Sequence, residues 1–272
     1  MPSPSLPPQR FTIRGVEVEA EVSGEGPDLI WGHGLSMNRA SDADMGLLDW
    51  DRIPFTVVRY DARGHGESES TPDLDAYSWS ELAQDQLALA DALGIGTYVA
   101  AGASMGCGTA LHAAVLGEGR VRALVLAIPP TAWETRAAQA DQWELAASVI
   151  ETEGIEAVIA ARAELDPPDP YVGDERRREQ QAAATRAWDP PRLALVMRGA
   201  TRANLPDRDE IAGIKVPALV LAWTGDPIHP VSTAEELHAL LPASELHVAS
   251  TGSDLSTWTD LTAGFLQRVL AS

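Results

Sequence analysis

The feature that most constrains this chain is the alternation of short, fully apolar runs with segments of helical periodicity. Leucines recur at helical spacing over residues 80–93, and alternating residues on either side of Arg14-Gly15 predict a hairpin. Strands that are apolar on both faces are typical of a parallel sheet covered by helices. We therefore predict an α/β fold with a mostly parallel sheet of about eight strands and helices on both faces. The apolar runs that carry this prediction are 28–31, 55–60, 121–128 and 218–223.

The alternation of apolar runs with helical segments stops over residues 131–209, where helical segments occur without a clear strand. We predict a helical cap insertion here, lying over the strand ends, with a helical extension beside the sheet as the alternative. The core then consists of 11–130 and 210–272. Residues 1–10 are rich in proline and serine and are predicted to be a flexible tail.

The charge balance narrows the range of partners. The 272 residues include 40 acidic and 20 basic side chains, for a net charge of −20. Such a chain repels phosphate backbones and anionic lipids, so we expect neither a nucleic-acid nor a membrane partner. The composition leaves the oligomeric state open.

The cysteine and histidine content argues against a cofactor or a metal. The single cysteine, Cys107, excludes an internal disulfide and a multi-cysteine metal site, and it fits a cytoplasmic protein. The histidines lack a ligand spacing such as H-E-x-x-H, and the glycines do not form a phosphate-binding loop. We therefore expect no metal and no nucleotide cofactor.

Residues 102–106 read Gly-Ala-Ser-Met-Gly and lie between a predicted strand and a predicted helix. A sharp strand–turn–helix lifts a serine hydroxyl above the sheet, and small residues let the backbone close the turn. The helix that follows directs its amino terminus at the same place, where it stabilises negative charge. Ser104 is therefore a candidate nucleophile.

Three further motifs follow strands in the same chain: His33-Gly34, Asp-Ala-Arg-Gly-His-Gly-Glu-Ser at 61–68, and Gly225-Asp226. With these, the chain resembles the α/β-hydrolase superfamily from residue 11 to residue 270. The resemblance implies an oxyanion hole made by the backbone N–H groups of Leu35 and Met105. It also implies that Asp226 is the acid, because the family order is serine, acid, histidine. An ordinary turn aspartate is the alternative for Asp226.

The resemblance fails at the histidine. The loop that follows the last predicted strand, 249–255, contains none, and Ser253 stands where many members of the family have histidine. A serine hydroxyl is a weak nucleophile without a base to take its proton. Two explanations stay open: the histidine was replaced in this chain, or the mechanism departs from that of the family.

Two side chains are possible substitutes for the missing base. His229 follows Asp226 in the same loop and is an alternative base, although we prefer the interpretation that His229-Pro230 only shapes the loop. Asp254 is the other, but a carboxylate has an unperturbed pKa near 4, so we favour a capping role for it.

The resemblance implies a serine hydrolase acting on an ester, lactone or thioester of a small hydrophobic acid. The alternative, which the absent histidine favours, is a ligand-binding protein that has kept the pocket and lost the reaction. Three tryptophans of the predicted insertion either wall an apolar pocket above Ser104 or form the core of the insertion: Trp133, Trp143 and Trp188.

Overall fold

The apolar runs form neighbouring strands of one eight-stranded sheet in the computed structural model, which describes residues 7–270. The sheet order is β1-β2-β4-β3-β5-β6-β7-β8. β1 pairs antiparallel with β2, and β2 pairs antiparallel with β4, while all later neighbours are parallel. The predicted fold class is therefore confirmed. The strands are β1 (Gln9–Ile13), β2 (Val16–Ser23), β3 (Asp28–Gly32), β4 (Thr56–Tyr60), β5 (Tyr98–Ala103), β6 (Val121–Ala127), β7 (Ala218–Trp223) and β8 (Ser244–Ala249).

Helices follow most of the parallel strands, and five of them, α4 to α8, lie between β6 and β7. Short 3₁₀ turns lie at Trp50–Arg52, Leu74–Tyr77, Trp133–Thr135 and Asp169–Tyr171. The helices are α1 (Arg39–Met45), α2 (Trp79–Ala92), α3 (Met105–Leu116), α4 (Arg136–Glu153), α5 (Ile155–Ala163), α6 (Glu175–Arg186), α7 (Pro190–Ala200), α8 (Arg208–Gly213), α9 (Val231–Leu240), α10 (Gly252–Leu255) and α11 (Trp258–Leu270).

The central strand β5 separates two hydrophobic clusters. Tyr98 and Ala100 pack with residues of α2, α3 and α9, whereas Val99 and Ala101 pack with residues of α11. This alternation follows from the two-residue period of a strand and explains why β5 is apolar throughout. A third cluster joins α4, α5 and α7 to Tyr77, with Leu35 packed at its edge. The helices between β6 and β7 thus have a core of their own that reaches the segment after β3.

One boundary prediction needs correction. The predicted flexible tail over 1–10 is wrong at Gln9 and Arg10, because both pair with β2 as the first residues of β1. Residues 1–6 of that prediction lie outside the described residues.

No helix within residues 7–270 is both long enough and apolar enough to cross a bilayer.

Candidate active site

Ser104 lies in the sharp turn between β5 and α3. Its φ of 53° and ψ of −108° are unusual for a residue with a side chain, and such a conformation costs about 1–3 kcal/mol. The turn closes only because two glycines flank it. A Cβ on Gly106 would lie 2.0 Å from the Gly32 carbonyl oxygen, and one on Gly102 would lie 2.6 Å from the Gly106 backbone. The side chain of Ser104 is thereby held at the carboxyl edge of the sheet.

Asp226 and His229 lie in the loop that follows β7, two strands away from β5 at the same edge. The loop turns at Gly225, whose φ is +78° and whose missing Cβ would lie 2.4 Å from an Asp169 carboxylate oxygen. Two long-range hydrogen bonds hold the loop at either end. Asp169 N–H donates to the Thr224 carbonyl, and Thr131 N–H donates to the Ile228 carbonyl, each at 2.9 Å.

This loop brings an imidazole to the serine. His229 Nε2 lies 2.8 Å from Ser104 Oγ, and His229 Nδ1 lies 2.7 Å from Asp226 Oδ2. An ionised carboxylate only accepts hydrogen bonds, so the Nδ1 hydrogen points to Asp226. The lone pair of Nε2 is then free to accept the hydroxyl hydrogen of Ser104. Both side chains are mostly shielded, with 15% of His229 and 10% of Asp226 exposed.

The Asp226 carboxylate is saturated with donors. Oδ2 also accepts from the Trp223 indole at 2.9 Å, and Oδ1 accepts from the backbone N–H groups of Ile228 at 2.9 Å and His229 at 3.3 Å. Burial raises the pKa of this carboxyl, but the hydrogen bonds and charge of His229, helped by Trp223, outweigh burial and lower the pKa to about 2. Asp226 is therefore an anion of fixed orientation at neutral pH.

The segment after β3 lies beside the nucleophile. A Cβ on Gly34 would stand 3.8 Å from the Cβ of Ser104, and Leu35 follows directly. Met105 is the first residue of α3, so its N–H belongs to the first turn, where helix donors have no partner within the helix. Gly34, which directly precedes Leu35, and the first turn of α3 thus both lie next to Ser104.

The structure does not support the preferred interpretation of His229. A residue that only shapes the loop would not place its ring between Asp226 and Ser104. The sequence contains one signal that favours the alternative, namely that Asp226 and His229 follow the same strand end. The sequence does not show the path of the loop, because that path depends on the distant contacts of Asp169 and Thr131.

Ser253 and Asp254 lie in α10 and take part in local hydrogen bonding. Ser253 is exposed, and its carbonyl accepts from Ser256 Oγ. Asp254 Oδ2 accepts from the hydroxyl of Thr251 and from the backbone of Ser250, which lowers the pKa of its carboxyl. A carboxylate with a lowered pKa is a poorer base, so its place is in the capping box of α10.

Cys107 is fully buried in the first turn of α3. Its thiol donates to the Ala127 carbonyl at 3.0 Å, and burial raises its pKa, which makes it a packed thiol and not a reactive one.

A wide groove of about 990 Å³ lies elsewhere, between α1 and α10, and is lined by Trp50 and Arg59 among others. It contains none of Ser104, Asp226 and His229. The candidate site is therefore identified by the hydrogen-bonded side chains of Ser104, His229 and Asp226, and not by the size of a groove.

Comparisons with known proteins identify the family of this chain. The model of the alpha/beta hydrolase family matches residues 29–258. The chain belongs to the alpha/beta hydrolase family. Within the family, it is 26% identical over 182 residues to 3-oxoadipate enol-lactonase 1 of Acinetobacter baylyi, a match that spans 66% of this chain and 65% of the relative.

Two solved structures share the fold over nearly the whole chain. The enol-lactonase of Burkholderia xenovorans has a TM-score of 0.75 at 23% identity and covers 97% of this chain and 100% of its own. A thermophilic esterase of Thermogutta terrifontis has a TM-score of 0.80 at 21% identity, with 97% and 99% covered. At these identities, the likeness is one of fold.

Proposed function

We propose that this chain is a serine hydrolase in which the general base comes from the loop after β7. Ser104 is the nucleophile, His229 the base and Asp226 the acid that orients it. The observation that carries the proposal is the continuous contact from Ser104 Oγ to His229 Nε2, at 2.8 Å, and from His229 Nδ1 to Asp226 Oδ2, at 2.7 Å. A nucleophile hydrogen-bonded to a base that a third group orients is the arrangement expected for covalent catalysis.

In the reaction, Ser104 Oγ attacks the carbonyl carbon of the substrate while its proton passes to His229 Nε2. The anion of Asp226 stabilises the imidazolium that forms. When the tetrahedral intermediate collapses, the bond to the leaving oxygen breaks and that oxygen takes the proton from His229. Water then adds to the acyl group on Ser104 by the same proton transfers and releases the acid.

The N–H groups of Leu35 and Met105 are the proposed donors to the oxyanion. Ser104 lies between the segment of Leu35 and the first turn of α3. A donor of this kind acts where charge develops, and removing one costs about 10²–10³ in kcat in enzymes where this was tested. The positive end of the helix dipole at the start of α3 acts in the same direction.

For the substrate, we propose an ester or lactone of a small, largely apolar carboxylic acid, with a thioester as the related case. The helices α4 to α7 act as a cap over the site. Supporting this are the apolar cluster that these helices share with Leu35 and the enol-lactonase and esterase activities named for the relatives. Capping helices also exclude water, which strengthens the electrostatic interactions inside a site.

A non-catalytic, ligand-binding role is the second candidate, and the absence of a histidine after β8 is what favours it. Against it stands the contact of His229 Nε2 with Ser104 Oγ, which supports a base in the loop after β7. The two candidates differ in the reactivity of Ser104.

The test is the turnover of p-nitrophenyl esters and of simple lactones by the wild-type chain, Ser104→Ala and Ser253→His. We expect turnover that Ser104→Ala abolishes and Ser253→His does not increase. If Ser253→His instead raises kcat by several orders of magnitude from a baseline equal to that of Ser104→Ala, the chain is an inactivated hydrolase and His229 is not the base. Absence of turnover in all three, with no labelling of Ser104 by a fluorophosphonate, supports the ligand-binding candidate.

A further inference from the structure

Three successive carbonyl groups after β3 each meet a ring nitrogen, one from the adjacent His33, one from His65 after β4 and one from Trp188 between α6 and α7. His33 Nδ1 lies 2.8 Å from the Gly34 oxygen, and His65 Nε2 lies 2.7 Å from the Leu35 oxygen. The indole N–H of Trp188 donates to the Ser36 oxygen at 3.2 Å. These carbonyls belong to residues 34–36. We call these residues the oxyanion segment, because they carry the proposed oxyanion donor, Leu35 N–H.

The two histidines belong to the core, and the second nitrogen of each ring faces a backbone group of the turn after β4. Ala62 N–H donates to His33 Nε2 at 3.0 Å, so the ring hydrogen of His33 is on Nδ1 and points to Gly34. His65 faces a carbonyl at each nitrogen, since Nδ1 lies 2.9 Å from the Arg63 oxygen. Burial lowers the pKa of His65 to about 3, and a neutral ring has one N–H, so His65 donates to one of these carbonyls at a time.

Trp188 differs because it belongs to the helical segment between β6 and β7. It lies between α6 and α7, and its indole is always a donor. Its ring meets that of His65 edge-on at 5.3 Å, and His65 in turn lies 4.9 Å from His33. The three rings therefore form a continuous row of tilted and edge-on contacts from the core to the helical segment.

Arg192, in the first turn of α7, binds the backbone on the far side of His65. The guanidinium of Arg192 donates to the carbonyls of Gly64 at 2.8 Å and Gly66 at 3.0 Å, and it also reaches Ser68. The turn that carries His65 is thus bound to α7 close to Trp188. Where α7 lies decides whether Trp188 reaches Ser36.

We propose that Trp188 is a positioning residue through which the helices between β6 and β7 set the orientation of the oxyanion segment. The Ser36 carbonyl accepts from Trp188, and the proposed oxyanion donor, Leu35 N–H, lies two peptide groups earlier in the same short segment. When the helices are seated, a ring nitrogen faces each of three successive carbonyls, and the one that comes from the helices is the indole N–H of Trp188. When they shift, the bond from Trp188 is lost first, and the donor N–H loses its fixed direction.

This inference rests on the serine-hydrolase function proposed above, and it predicts a defect in the chemical step. Trp188→Phe keeps an aromatic ring against His65 but removes the donor to Ser36. We expect kcat for a p-nitrophenyl ester to fall by about 10- to 100-fold, less than the loss of a whole oxyanion donor, with KM changed by less than about threefold.

Trp133→Phe is the matched control. Trp133 is also partly buried, and its indole also donates to a backbone carbonyl, that of Pro206, at 3.1 Å. The two variants therefore lose the same kind of hydrogen bond, and only one of these bonds ends on the oxyanion segment. Should Trp188→Phe not fold, Trp188→Met removes the same donor.

A second measurement does not depend on activity. Amide hydrogen exchange of a peptide that covers residues 34–38 should be faster in Trp188→Phe than in the wild type and unchanged in Trp133→Phe. If the wild-type chain has no turnover, the proposed function fails while the exchange result still tests the positioning role. The inference is overturned if Trp188→Phe and Trp133→Phe behave alike in exchange, or if Trp188→Phe changes KM alone.

Discussion

Asp226→Asn is the substitution whose effect follows most directly from the geometry. Each carboxylate oxygen of Asp226 faces two donors: the His229 ring and the Trp223 indole at Oδ2, and two backbone N–H groups at Oδ1. An amide has an NH₂ group in place of one oxygen. In either orientation of the asparagine, this NH₂ group faces two N–H donors and cannot accept their hydrogen bonds. Leaving buried donors unpaired costs about 1–3 kcal/mol of stability.

The catalytic cost is larger. With the NH₂ group at the Oδ2 position, the hydrogen of His229 moves to Nε2, and the ring no longer accepts the proton of Ser104. With the NH₂ at Oδ1, the charge that stabilises the imidazolium is still lost. The same change in a serine protease lowers kcat about 10⁴-fold, or about 5 kcal/mol, and we expect a loss of that order here.

The assay is kcat for a p-nitrophenyl ester, with urea unfolding to show that the variant is folded. Asp254→Asn is the matched control, because it makes the same change at a carboxylate that caps α10. It should leave kcat within about threefold of the wild type. An Asp226→Asn variant that is folded and keeps more than about a tenth of wild-type kcat would refute the reasoning.

Three further outcomes are expected. Trp223→Phe removes one donor from Asp226, so the carboxylate holds an imidazolium more strongly and the acid limb of the pH profile of kcat/KM moves to higher pH. Trp258→Phe changes only the ring stacked on Trp223, so it should leave the acid limb in place. Gly106→Ala should cost about 3 kcal/mol or more in urea unfolding, because its Cβ would strike a backbone carbonyl at 2.0 Å, whereas Gly213→Ala meets open space. Burial lowers the pKa of His33 to about 4 and of His65 to about 3, so below pH 6.5 the unfolded chain binds more protons than the folded chain. The free energy of unfolding should therefore fall by up to about 1.4 kcal/mol per pH unit for each ring as the pH drops to 4. Equal stability at pH 7 and pH 5 would contradict this.

Much of the fold could be predicted from local pattern, because strands buried on both faces must be apolar throughout. The run at Ala218–Trp223 coincides with β7, and the turn at Ser104 has the glycine neighbours that its close backbone contacts require. The amino-terminal boundary was missed because Gln9 and Arg10 are polar residues of an edge strand, where pairing with β2 and not burial decides the structure.

The role of the loop after β7 was harder to predict because its path is set by distant residues. Nothing near His229 in sequence shows that Asp169 and Thr131 will hold the loop at both ends. The i,i+3 spacing of Asp226 and His229 fits several loop conformations, of which one places the ring against Ser104. Chain order alone points to the segment after β8, where Ser253 stands.

The most direct test of the central claim, that the base lies in the loop after β7, is kcat/KM of His229→Ala for a p-nitrophenyl ester, measured beside the wild type and Ser104→Ala. Removing the base of such a unit costs about 10⁶ in turnover, nearly as much as removing the nucleophile. We therefore predict that His229→Ala falls to the level of Ser104→Ala. A folded His229→Ala variant whose kcat/KM stays within about tenfold of the wild type, while Ser104→Ala is inactive, would contradict the account.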